Sequence, residues 1–222
     1  MFKIKNILAG IVLLAVMPTF AIAQPQNGYY FVFLNSNPNR VELREEQRDS
    51  LQKGHLQNII RLWKTGKLVA AGPFEHGGGI FIFKAGSISE VQDSLQTDPA
   101  IRANRFILEV YLMEFITGGT CMVPENAEMV CHNFLRLELK DNPNLDQPPQ
   151  PRLRLEVLSE QLSKDDWKPI ATCWFTGRME GIVILDPVKQ TAGESVAQPF
   201  IDEDMWKADV KKLWIAKGVF CE

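Results

Sequence analysis

Six consecutive residues, Tyr29-Tyr30-Phe31-Val32-Phe33-Leu34, are aromatic, β-branched or leucine, and Asn35-Ser36-Asn37-Pro38 stops the run. A run with no polar alternation predicts a strand covered on both faces. The period then changes from two to 3.6. Residues 43–65 contain no proline, and Leu51, His55, Ile59 and Leu62 recur three or four apart, with Leu56, Ile60 and Trp63 beside them. That spacing predicts a helix with one apolar face. Gly66 supplies a left-handed stop. Leu68-Val69-Ala70-Ala71 reads as a short strand ended by Gly72-Pro73, and Glu75-His76-Gly77-Gly78-Gly79 turns the chain into Ile80-Phe81-Ile82-Phe83. Two strands about a glycine-rich turn make a hairpin.

Ser87 and Glu90 have the S-x-x-E spacing of a capping box, which predicts a second helix with Val91 and Leu95 inward. Asp98-Pro99 punctuates it. Residues 106–115 alternate, with Ile107, Glu109, Tyr111 and Met113 on one face, and so predict a fourth strand. The resulting order, β-α-β-β-α-β, is a ferredoxin-like split unit in the α+β class.

The rest of the chain repeats this pattern in a worn form. Residues 134–139 alternate and end in Asp141-Asn142-Pro143-Asn144. Lys168-Pro169-Ile170-Ala171 with Phe175 parallels Lys67-Leu68-Val69-Ala70 with Phe74, and Gly181-Ile182-Val183-Ile184 parallels Gly79-Ile80-Phe81-Ile82. Gln198-Pro199 falls where Asp98-Pro99 leads one to expect it, and residues 209–220 supply a last strand. Residues 152–162 fit a strand through Leu153, Leu155 and Val157 and a helix through Leu155, Leu158 and Leu162, so periodicity leaves both open. Two tandem ferredoxin-like units are expected, over residues 24–117 and 118–222. Trp167, Trp174, Trp206 and Trp214 are expected as core fillers of the second.

Residues 1–23 fit neither unit. Lys3 and Lys5 precede an apolar run, then Pro18 and Ala21-Ile22-Ala23, the order of a secretory signal cleaved after Ala23. The run is shorter than the ~20 apolar residues that span a bilayer. A periplasmic or secreted protein is expected, with no membrane attachment after cleavage. In such a compartment disulfides persist. Of the three pairings open to Cys121, Cys131, Cys173 and Cys221, Cys121–Cys131 across a short polar loop, with Cys173–Cys221, is the expected one. Their spacing is not that of a zinc site. The 24 Lys and Arg against 27 Asp and Glu in 222 residues leave a net charge of −3, which disfavours a phosphate-backbone partner such as nucleic acid.

Two residues are candidates for chemistry. His55 shares the helix stripe of Leu51 and Ile59, and imidazole exchanges protons near neutrality. A carboxylate on one ring nitrogen would fix its tautomer, and Asp98 could be that carboxylate. The plainer readings are that His55 is a satisfied core residue and Asp98 an N-cap ahead of proline. His76 reads as a loop residue. The glycines after it could present N–H groups to an anion, but no Gly-Lys-Ser/Thr follows them, so no nucleotide cofactor and no metal is expected.

Residues 29–115 resemble a YciI-like (YCII-related) domain. The helix around His55, the Gly66 turn, the Ala71-Gly72-Pro73 strand end, the Gly77-Gly78-Gly79 loop and Asp98-Pro99 come in that family's order and spacing. The resemblance implies a dimeric α+β barrel, in which two ferredoxin-like sheets pack face to face, as in muconolactone isomerase and a chlorinated-hydroquinone dehydrochlorinase. It also implies that His55 and Asp98 form an acid/base pair. In the second unit the matching positions are Glu156 and Gln198, so the pair is not repeated. That unit is then expected as a built-in partner, making an intrachain pseudo-dimer, with a homodimer as the other arrangement. Two functions are open: a cofactor-independent lyase or isomerase acting on a small cyclic or aromatic molecule, or a non-catalytic module binding a small ligand or a protein.

Overall fold

The computed structural model describes residues 27–140, 150–164, 167–186 and 206–221. The leader with its cleavage point, Asp141-Asn142-Pro143-Asn144 and Gln198-Pro199 lie outside them. The first half contains β1 (Gly28–Ser36), α1 (Glu45–Lys64), β2 (Leu68–Pro73), β3 (Gly79–Ala85), α2 (Ile88–Leu95), the single turn α3 (Pro99–Arg102) and β4 (Phe106–Thr117). The second contains β5 (Gly119–Thr120), β6 (Met129–Leu139), α4 (Pro151–Lys164), β7 (Pro169–Phe175), β8 (Glu180–Leu185), β9 (Trp206–Ala216) and β10 (Phe220–Cys221).

The class is α+β, built on one large antiparallel sheet of order β2-β3-β1-β4-β7-β8-β6-β9. β1 is buried on both faces, as its sequence requires. Phe31 and Phe33 enter a central cluster with Phe134, Phe175, Ile182 and Leu213, while Tyr30, Val32 and Leu34 meet Leu62, Val91 and Leu95 under the first-half helices. Residues 152–162 are helical, because the stripe of Leu155, Leu158 and Leu162 finds Leu135, Val183 and Trp206 to cover it. Leu153 and Val157, which a strand would have used, are exposed.

The two halves share their hydrogen-bonding registers. β2 opposes β3 through Leu68↔Phe83, then slips by one before Ala70↔Ile82 and Gly72↔Ile80. β7 opposes β8 through Pro169↔Leu185, with the same slip before Ala171↔Ile184 and Cys173↔Ile182. The halves are stitched twice, once at each edge. β4 meets β7 with Met113↔Phe175, and Thr176 N–H donates to Leu112 O at 2.9 Å. At the other edge Phe74 bridges to Leu213, and Glu75 N–H donates to Lys212 O at 3.0 Å. Gly72 is required there, since a Cβ would stand 2.3 Å from the Trp214 carbonyl oxygen.

A polar network also crosses between the halves. The Arg136 guanidinium lies 4.3 Å over the Phe33 ring and donates to Glu109 Oε2 at 2.8 Å and Glu180 Oε2 at 2.6 Å. Asn35 donates to Glu109 at 2.6 Å, and the Tyr111 hydroxyl donates to Glu109 as well. Burial opposes ionisation of Glu109, but the hydrogen bonds from Arg136 and Tyr111 and the Arg136 charge outweigh it and hold the carboxyl at about 2.

Two expectations are corrected. The disulfide is Cys121–Cys221, while Cys131 and Cys173 are free thiols. Cys131 lies within β6 opposite Trp214 and Cys173 points into the central cluster, whereas the short pairing of β5 with β10 brings Cys121 to Cys221. The pairing of near neighbours in sequence fails because a strand carries Cys131 away from the loop. Of the tryptophans, Trp174 and Trp206 are buried, but Trp214 is 42% exposed on β9 and does not fill a core.

The bridge closes a separation of 100 residues, so the Cys121→Ser/Cys221→Ser variant should lose about 2–5 kcal/mol of unfolding free energy. Urea denaturation checks this, and an unchanged midpoint contradicts it. A carboxylate with a depressed folded pKa stabilises above its unfolded pKa and loses that contribution as pH falls through the folded value. Stability should therefore drop as pH falls from 4.5 toward about 2, and Glu109→Gln should flatten that part of the profile.

Candidate functional site

His55 projects from the middle of α1 toward the sheet, because it shares the stripe that buries Leu62. Its ring lies between Phe81 and Phe106, each 6.0 Å away by centroid. Asp98 occupies the N-cap of α3, a conformation that Pro99 favours by fixing its own backbone for the first helical turn. The helix stripe and the cap bring the two residues together: His55 Nδ1 lies 2.8 Å from Asp98 Oδ2.

The carboxylate is fully buried and every contact made to it is a donor. Oδ1 accepts from the backbone N–H groups of Ala100 (2.8 Å) and Ile101 (3.3 Å). Oδ2 accepts from His55 and from Asn58 Nδ2 at 3.2 Å. Burial alone would raise the Asp98 pKa, but the hydrogen bond and charge of His55, with the donors from Asn58 and Ala100, bring it below its ordinary value. Asp98 is therefore an ionised acceptor. A carboxylate without a proton can face Nδ1 only if that nitrogen carries the hydrogen, so in the neutral ring Nε2 bears the lone pair.

Sequence reasoning missed the support behind this contact. Asn58, one turn along α1, is buried; its Oδ1 accepts from Arg61 Nη2 at 2.7 Å and lies 3.0 Å from Thr97 Oγ1, whose hydroxyl also reaches Ser94 O at 2.6 Å. A guanidinium can only donate, so Arg61 fixes the amide with its NH₂ toward Asp98. The available signal was a polar residue, three positions after His55, in a stretch that otherwise turns Ile59 and Leu62 inward. The Arg136 network was equally overlooked, although Glu109 and Tyr111 stood on the face of Met113.

Of the other sequence candidates, His76 has its side chain 95% exposed and stands 3.9 Å from its neighbour Glu75. It is not gathered with His55 and Asp98. Gly77 N–H is used internally, donating to Phe74 O at 3.1 Å. Glu156, which the sequence pattern aligned with His55, lies 3.8 Å from Arg152 on α4. Among the described residues no three His, Cys, Asp or Glu side chains gather as a metal-ligand set.

Residues 29–116 match the family model of the YCII-related domain, so the first half of the chain carries that domain. No curated protein matches the chain.

The geometry predicts that neutral His55 is the Nδ1–H tautomer, read directly from imidazole ¹⁵N shifts. In Asp98→Asn the side-chain amide can present either an acceptor or a donor to Nδ1, so the preference should weaken. An Nε2–H tautomer in the unaltered protein contradicts the assignment. Losing the charged cap and the buried acceptor together, Asp98→Ala should cost about 2–4 kcal/mol in unfolding free energy.

Proposed function

We propose that this is an exported YciI-like protein whose first half catalyses cofactor-independent proton transfer on a small cyclic or aromatic molecule, a lyase or isomerase reaction. His55 is the base and Asp98 its orienting partner. The observation that carries the reading is the 2.8 Å contact between His55 Nδ1 and a carboxylate fixed by three further donors. Nε2 is left to take a proton from carbon and return it, and Asp98 stabilises the imidazolium that forms between the two steps. General acid/base assistance of this kind contributes roughly 10²–10⁴-fold.

The shared registers of β2–β3 and β7–β8 support reading the halves as two ferredoxin-like units in an α+β barrel. The second unit then acts as a partner within the same chain, covering a sheet face that a single unit would leave bare. Export is supported by the Cys121–Cys221 bridge, since disulfides persist in oxidising compartments. No helix among the described residues is long and apolar enough to cross a membrane.

A second reading has its own observation. Asp98 Oδ1 caps α3 whether or not any reaction occurs, so the pair could hold helices together in a module that only binds a ligand or a protein. The two readings separate in a screen of small cyclic acids, lactones and phenols in D₂O. Catalysis predicts C–H exchange or conversion of at least one compound, slowed by about 10²–10⁴-fold in a folded His55→Gln variant. Equal rates in both proteins for every compound would leave the binding module.

A further inference from the structure

A cleft of about 160 Å³ opens between α1, β2 and the segment 121–128. Ile59 and Trp63 of α1, Val69 of β2, Val123 and Ala127 of the segment and Ile215 of β9 form its walls, and Glu125 is the one charged residue on them. Apolar walls ordinarily close on one another, because each gains by leaving water. Here one wall is fastened apart from α1. The segment starts at the Cys121–Cys221 bridge, where Cys121 N–H donates to Val219 O at 2.9 Å. It ends where Lys217 N–H donates to Glu128 O at 2.8 Å, with the two side chains 3.5 Å apart. Between these ends Glu125 reaches Lys64 of α1 at 3.1 Å, a strut across the mouth of the cleft.

We propose that this cleft is a binding site for an uncharged molecule with a single six-membered ring. Size and chemistry both select that class. An enclosed apolar cavity of ~150 Å³ accepts benzene in another protein; the cleft here has a similar volume but opens to solvent on one side, so it would hold one ring against its apolar walls with the outer edge in water. The only carboxylate on the wall already has its cation, so the site offers a charged ligand nothing. The site draws on both halves and on the bridge, so it exists only in the closed, oxidised chain. His55 is not on its wall, and the proposal stands or falls without the proton-transfer reading.

Benzene is the probe, titrated into the oxidised full chain with ¹³C-labelled Ile, Val and Ala methyl groups. The expected result is saturable shifts at Ile59, Val69, Val123, Ala127 and Ile215, with Ile107 and Val157 on remote faces unmoved. Ala127→Leu and Val123→Phe, both on the exposed segment, should fill the space and weaken binding about tenfold or more. Unmoved Ile107 and Val157 signals report that each variant is folded. Reduction of the bridge should also weaken binding, by releasing the wall. The proposal is overturned if the cleft methyls do not shift, if shifts are spread over all exposed methyls, or if both folded variants bind benzene as the unaltered chain does.

Discussion

The structure depends on one constraint: each half ends in a bare strand edge that only the other half covers. An uncovered edge leaves unpaired N–H and C=O groups and invites association with other chains. β4 pairs with β7 as a ladder, and at the far end of the sheet a bridge from Phe74, the residue after β2, to Leu213 brings β2 against β9. The first contact is a ladder and the second a single bridge, and beside each lies one further backbone hydrogen bond, from Thr176 and from Glu75. The central cluster follows from this pairing, because Phe31, Phe74, Phe134 and Phe175 meet only when both edges are closed. So does the Arg136 network, in which one guanidinium holds a carboxylate from each half.

The His55–Asp98 contact lies on the opposite face of the first-half sheet, under α1, and is built locally. α1 delivers His55 and Asn58 from one stripe, and the Asp98-Pro99 turn delivers the carboxylate. The second half adds nothing to it directly. What it adds is rigidity: β1 and β3, which carry the outward-facing Val32 and Phe81 beneath the helices, are fixed because their other faces are packed against Phe134 and Ile182. One half carries the His55–Asp98 contact under its helices, and the other packs against the far face of the same sheet.

Much of this was legible in the residues because local signals and burial agreed. The aromatic run of β1, the glycine turn between β2 and β3, and the Ser87 cap each specified one conformation, and the parallel between residues 67–74 and 168–175 reappears as a shared register slip. His55 and Asp98 could be nominated because an imidazole on an apolar stripe and an acid before proline each stand out alone. Asn58 could not, since its importance comes from which two ends of its amide are occupied, and that depends on Arg61 and Thr97 meeting it in space. The disulfide was misread for a related reason. Cys121 and Cys131 are close along the chain, but the pairing of β5 with β10 makes Cys221 the nearer partner. Residues 152–162 remained open until the sheet showed which leucine stripe had something to cover it.

The central claim is that mutual edge pairing makes the halves one cooperative body, and native-state hydrogen exchange tests it most directly. Amides that open only in global unfolding share its free energy, whereas separable units exchange at lower ones. The amides of Thr176 and Glu75 should exchange with the same opening free energy as those of β1, such as Phe31, and respond equally to added denaturant. If the stitching amides and the strands of one half exchange at a distinctly lower free energy than β1, the halves open independently and the claim is wrong.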